Sequence, residues 1–269
     1  MVCIFLPPKV VFFTQSCKLT LPKNNFYFDN LFLLVVFINF ARMDYIVWHI
    51  TESEQELRDS LQHPEYFAEK VGPLKPGSRR MLEVLAVRRA MKELFYGEEQ
   101  QVIYDEHGRP SLDPSYWNHH SGAVPFISIS HTTDYAAVIC SEQPVGIDIE
   151  RRAERVSRVT NRFLKPEEVA RLSLLSEYES DRLKSQLDDS DRQPTEWFFT
   201  LFLHLCWSAK EAAFKVLGPD YYDLQRLTTV TLLSLQLRQI TLQVEGREKP
   251  LSVHFDCTDD YVLTWVELD

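Results

Sequence analysis

The sequence predicts an α+β protein made of two halves of similar size, residues 43–142 and 143–269. Strand-like runs of period two and helix-like runs of period three to four alternate from Met43 onward, with no short repeat and no low-complexity stretch. A second unit opens at Val145, after the strand signals of the first have ended near Cys140. Hydrophobic residues at 45% and charged residues at 25% of the 269 are the proportions of an ordinary globular chain, long enough for a sizeable core.

Each element has its own signal. Tyr45–Ile50 reads as the first strand, and a polar helical stretch surrounds Ser53–Leu61. A longer helix is predicted from Ser78 to Phe95, because Met81, Leu82, Leu85, Val87, Met91 and Leu94 recur at helical spacing and Ser78 supplies an N-cap. Val102–Tyr104 followed by Gly108-Arg109-Pro110 reads as a short strand and turn, and 118–122 as a polar loop. Phe126–Ser130 alternates with period two, and Tyr135–Cys140 is its hairpin partner. In the second half, Val145–Glu150 reads as a strand and Arg155–Phe163 as a helix. Lys165-Pro166-Glu167-Glu168 starts another helix, with proline in the first turn and acids beside it. Ser176–Glu196 is acidic and polar and contains Pro194, as an exposed insertion would. Trp197–Val216 is a strongly apolar helix ending at Gly218-Pro219, and strands follow at Thr228–Leu233, Ile240–Val244, Leu251–Phe255 and Tyr261–Glu267.

Residues 1–42 differ from the rest. They are rich in Phe, Val and Leu, hold Asp29 as their single acid, and lack a signal-peptide cleavage pattern. The apolar run from Leu31 to Phe40 is about half of a membrane span. We read 1–42 as upstream sequence outside the native protein or as a disordered extension, with Met43 as the start. A net charge of -10 argues against sequence-independent nucleic-acid binding, which needs many cations facing phosphates. Five scattered cysteines with no CxxC pair suit reduced thiols in a cytoplasmic protein rather than disulfides or a zinc site.

Three short motifs carry chemistry. In Gly146-Ile147-Asp148-Ile149-Glu150, residues two apart on a strand share a face, so the two carboxylates point together. Such a pair is either a solvated edge or a seat for Mg²⁺, which takes one or two protein carboxylates and leaves room for water and phosphate. In Trp207-Ser208-Ala209-Lys210-Glu211-Ala212-Ala213-Phe214-Lys215, residues 207, 211 and 215 form one helical stripe. Its acid and base are an exposed ion pair or, given the apolar surroundings, a functional pair. In Ser128-Ile129-Ser130-His131, a Ser130/His131 hydrolase dyad is disfavoured, since adjacent strand residues point apart and no GxSxG elbow is present.

The order SISH, GIDIE, WSAKEAAFK resembles the Sfp-type 4′-phosphopantetheinyl transferase family, with 17 residues from His131 to Asp148 and 61 from Glu150 to Glu211. The likeness spans about 43–269 and continues more loosely through Ser78–Leu82, Arg88 and Gly108-Arg109-Pro110. The resemblance implies two α+β halves in pseudo-twofold arrangement with the active site in the cleft between them. By the same resemblance Asp148, Glu150 and Glu211 hold Mg²⁺ or Mn²⁺, and Lys215 stabilises charge on the transferred phosphate. His131 contacts the 3′-phosphate of coenzyme A, with Ser130 beside it and Arg79 and Lys75 gripping the nucleotide. Glu211, or a metal-bound water, takes the proton of the carrier serine.

The implied reaction moves 4′-phosphopantetheine from coenzyme A to a serine of an apo acyl or peptidyl carrier protein and releases 3′,5′-ADP. The partners expected are that carrier and coenzyme A, with no nucleic acid and no membrane, for a cytoplasmic monomer. Arg151, Arg155, Arg158 and Arg162 are spaced 4, 3 and 4, which on an α-helix makes a basic stripe for an acidic carrier. Two other readings stay open: a magnesium-dependent hydrolase of a nucleotide or diphosphate, and a non-catalytic carrier-binding module.

Overall fold

The computed structural model describes residues 11–12, 43–117, 123–184 and 195–268. The expectation for 1–42 therefore lies outside the described residues apart from Val11–Phe12, and the expected loop at 118–122 lies outside them entirely. The chain divides into two compact units. One takes the described residues up to Ile129 together with Asp134–Pro144, and the other takes Ser130–Thr133 and Val145 onward.

The first unit is a four-stranded sheet of order β1-β2-β6-β5, with β1 at Val11–Phe12, β2 at Asp44–His49, β5 at Phe126–Thr132 and β6 at Tyr135–Ser141. A separate hairpin pairs β3 (Val102–Tyr104) with β4 (Pro110–Leu112). β2 and β6 run antiparallel with Ile46 opposite Val138 and Trp48 opposite Ala136. Those residues form a core with one face of helix α2, Arg79–Leu94, which contributes Met81, Leu85, Ala86, Ala90 and Met91. The helix starts where the sequence predicts, because the Ser78 hydroxyl accepts from the Met81 amide at 3.2 Å. The shorter helix α1, Glu54–Asp59, is closed by a capping box of Ser53 and Glu56.

The second unit is a five-stranded antiparallel sheet of order β7-β11-β10-β9-β8. Its strands are β7 (Val145–Arg151), β8 (Thr228–Ser234), β9 (Gln239–Val244), β10 (Leu251–Cys257) and β11 (Tyr261–Glu267). The apolar helix, α4 at Thr195–Leu217, packs across it, and α3, Pro166–Lys184, packs against α4. Phe202, Leu205, Cys206, Ala209 and Ala213 of α4 meet Ile240, Leu242, Val253, Phe255, Val262 and Val266 of the sheet in one core. Among the described residues no helix is long and apolar enough to cross a membrane.

Two expectations need correction. The helix predicted at Arg155–Phe163 is a 3-10 helix, Glu154–Arg162. The Thr160 hydroxyl donates to the carbonyls of Val156 and Ser157, which α-helical amides would otherwise use, and the β-branched Val156, Val159 and Thr160 disfavour the α form. The stretch opening at Ser176 is also no exposed insertion as far as Lys184. It continues α3 and buries Ser176, Glu179 and Ser180, with the Ser176 hydroxyl donating to the Leu172 carbonyl at 2.7 Å. Those three polar residues occupy the helix face that packs inward, while Glu177, Asp181 and Arg182 are exposed. Residues 185–194 lie outside the described residues.

Candidate functional site

The site begins with a glycine. β7 is the edge strand of its sheet and pairs with β11, with Asp148 opposite Thr264 and Glu150 opposite Val262. At Gly146 a Cβ would stand 2.1 Å from the Ala212 carbonyl oxygen of α4. Only a residue without a side chain lets the helix lie that close to the strand. Alternation then turns Asp148 and Glu150 toward the same helix, while Ile147 and Ile149 are buried on the opposite face.

The helix meets them with the predicted stripe. Trp207 Nε1 donates to Glu150 Oε1 at 2.8 Å, and its ring packs edge-on against Phe163. Lys215 Nζ donates to Asp148 Oδ1 and to the Ile147 carbonyl, each at 2.8 Å. Glu211 lies between them on the helix, half-buried. Asp148 is only 4% exposed, so the solvated-edge alternative fails for it.

The charge balance is unfavourable to carboxylates. Burial and the neighbouring Asp148 push the Glu150 carboxyl up to about 7, against the opposing effects of Trp207 and Lys215. Burial and Asp148 likewise raise Glu211 above the ordinary carboxylate range. Asp148 Oδ2 is buried without a hydrogen-bond partner. Three acids and one lysine thus leave excess negative charge in a desolvated place.

Those features fit a divalent cation. It would satisfy the orphaned oxygen and relieve the repulsion that raises Glu150 and Glu211. Among the described residues no three His, Cys, Asp or Glu side chains stand close enough to form a ready-made metal cage. The acids present are of the oxygen-donor type that Mg²⁺ takes beside water and substrate phosphate.

Two partnerships here have no counterpart in the expectations. Ser130 was expected beside coenzyme A, but its hydroxyl donates to Asp148 Oδ1 at 2.9 Å and accepts from the Ile149 amide at 3.2 Å. Lys210, the neighbour of Glu211, is fully buried with Glu168. Its Nζ donates to the carbonyls of Phe163 and Thr228 and sits 3.0 Å from Glu168 Oε1. The signal that could have found this pair is a lysine one turn from Cys206 and Phe214 on an otherwise apolar helix face.

The other expected residues lie elsewhere. His131 is half-buried at the end of β5, in the segment that belongs to the second unit. Arg79 and Lys75 belong to the first unit. There Arg79 pairs with Asp134 at 2.8 Å, and Lys75 is exposed just before the α2 cap.

The family model of the 4′-phosphopantetheinyl transferase superfamily matches residues 144–266. Over this stretch the chain is similar to that superfamily. The match contains Asp148, Glu150, Glu211 and Lys215, so every acid of the desolvated cluster lies within the matched residues. The superfamily transfers phosphopantetheine to carrier proteins, with coenzyme A as co-substrate and typically a divalent metal. No curated protein matches the chain.

Proposed function

We propose that this protein transfers 4′-phosphopantetheine from coenzyme A to a serine of an apo carrier protein, in a magnesium-dependent reaction. The observation that carries the reading is the desolvated, like-charged trio of Asp148, Glu150 and Glu211 around Lys215, inside the matched residues.

The carrier serine oxygen forms a bond to the β-phosphorus of coenzyme A. The bond from that phosphorus to the bridging oxygen breaks, and 3′,5′-ADP leaves with the electron pair. Asp148, Glu150 and Glu211 would hold Mg²⁺, which when bound neutralises pyrophosphate charge and aligns the attack. Glu211 is the proposed acceptor of the serine proton. Lys215 spends two of its three N–H donors on Ile147 and Asp148, which leaves one to meet charge developing on the phosphoryl group. His131, Arg79 and Lys75 are proposed contacts of the coenzyme A nucleotide.

Arg155, Arg158 and Arg162 lie on the 3-10 helix that follows β7, and they are proposed to receive the acidic carrier. Reversing Arg155 and Arg158 to Glu should raise the carrier KM and leave coenzyme A binding intact; an unaltered carrier KM removes the idea.

The deciding experiment is intact-mass spectrometry of an apo acyl carrier protein incubated with this protein, coenzyme A and Mg²⁺. A gain of about 340 Da, lost with Asp148→Ala, is the expected result. Coenzyme A consumed without a carrier gain indicates the hydrolase. Coenzyme A left intact across several apo carriers indicates a non-catalytic module.

A further inference from the structure

The two β7 acids are held in one pattern. Glu150 has Oε1 on the Trp207 indole, and Asp148 has Oδ1 on both Ser130 and Lys215. In Asp148 both donors fall on one oxygen while the other is buried and unpartnered. The direction of the Ser130 proton follows from its second bond. Because the hydroxyl accepts from the Ile149 amide, its own hydrogen is free to point at Asp148. Ser130 is itself 7% exposed, and the Asp148 main chain is tied down on its own account. The Ser208 hydroxyl reaches the Asp148 carbonyl at 3.3 Å and pairs with the Thr264 hydroxyl at 2.8 Å.

A carboxylate clamped in this way offers a cation one oxygen. It cannot swing to present both, because Oδ1 would have to leave a hydroxyl and an ammonium. That restriction discriminates between metals. Mg²⁺ requires near-octahedral single-oxygen contacts, whereas Ca²⁺ is larger and gains from bidentate carboxylates.

We propose that Ser130 is a positioning residue that sets the cation preference of the acid site, Mg²⁺ over Ca²⁺, by holding Asp148 to one free oxygen. This rests on reading Asp148, Glu150 and Glu211 as the metal ligands. Ser130 acts on the cation through Asp148, to which its hydroxyl donates.

Calorimetric titration of the full chain with MgCl₂ and, separately, with CaCl₂ tests it without reference to turnover. Ser130→Ala should bind Mg²⁺ about tenfold more weakly, the usual scale for losing an outer-shell hydrogen bond. Its Ca²⁺ affinity should stay level or rise, so the Mg²⁺/Ca²⁺ ratio falls. Ser130→Thr, which keeps the hydroxyl, should restore the ratio. A general loosening of the fold would weaken both metals together and would not be rescued selectively. If Ser130→Ala does not fold, Ser130→Cys keeps the size with a weak donor, and its Mg²⁺/Ca²⁺ ratio should fall between the other two. An unchanged ratio in the folded Ala or Cys variant overturns the role of Ser130 alone. A wild-type chain that takes up neither metal overturns the acid-site reading and this inference with it.

Discussion

Helix α4 carries two lysine–carboxylate pairs five residues apart, and they are built on opposite principles. Lys210 and Glu168 are both fully buried, and the network around them is closed. The lysine uses the Phe163 and Thr228 carbonyls, while Glu168 accepts from the Val230 amide at 2.7 Å and the Lys165 amide at 2.8 Å. That pair staples the end of the 3-10 helix, the start of α3, α4 and β8. Lys215 and Asp148 are also close, yet their surroundings stay open, with an orphaned carboxylate oxygen and two further acids that burial makes reluctant to ionise. A closed polar network holds a fold together; an open one of the same residue types is poised for a ligand.

The sharpest way to break the comparison is Lys210→Met. It strips Glu168 of its cation in a fully buried place and should cost ~3–5 kcal/mol of stability in urea unfolding. Replacing Glu168 as well, in Lys210→Met with Glu168→Gln, should recover part of that loss, because no unpaired charge remains. Lys215→Met should cost less, ~1–2 kcal/mol, since Asp148 keeps its Ser130 donor and carries only one fewer bond. Equal losses from the two lysine variants would mean that the open pair is as architectural as the closed one.

A second effect of intermediate size separates the regions by pH. The Glu150 carboxyl sits at about 7 in the folded chain against 4.5 ordinarily, with burial the main cause and Asp148 next. A raised carboxyl binds its proton more tightly when folded, so its stabilising contribution is whole below pH 4.5 and is lost as pH climbs through about 7. Without divalent cations, unfolding at pH 5 and pH 8 should show the wild type losing stability relative to Glu150→Gln, on the order of 1–3 kcal/mol. The difference should shrink when MgCl₂ is added, because cation binding favours the ionised form. A difference independent of pH would show that Glu150 is not held against its charge.

How much of this was legible differs between the two pairs for the same reason. The GIDIE strand and the 207-211-215 stripe could be read because alternation and helical spacing are local rules, and both placed their side chains as expected. The strands from Thr228 to Glu267 lie within a residue or two of where the sequence places them. Lys210 and Glu168 stand 42 residues apart, and nothing local joins them. Glu168 even has a sufficient local explanation, as an acid in the first turn of α3, which hid its long-range partner. The Ser130 clamp on Asp148 was invisible likewise, since it spans 18 residues and depends on which strand ends meet. The 3-10 helix failed for a different reason: Thr160 competes for backbone carbonyls, and apolar periodicity cannot register that competition.

The smallest expected effect sharpens the open region from within. Trp207 gives Glu150 one indole hydrogen bond, and that bond lowers the Glu150 carboxyl against the upward push of burial. Trp207→Phe keeps an aromatic ring to pack against Phe163 and removes only the donor. Stability should fall by about 1 kcal/mol, the net worth of one such bond. The informative readout is the pH at which Mg²⁺ binding is half complete. Ionised Glu150 has lost its one neutral donor, so the carboxyl moves higher and the binding midpoint must move to higher pH with it. A Trp207→Phe midpoint equal to the wild type would place Glu150 outside the cation site, leaving Asp148 and Glu211 to account for the binding.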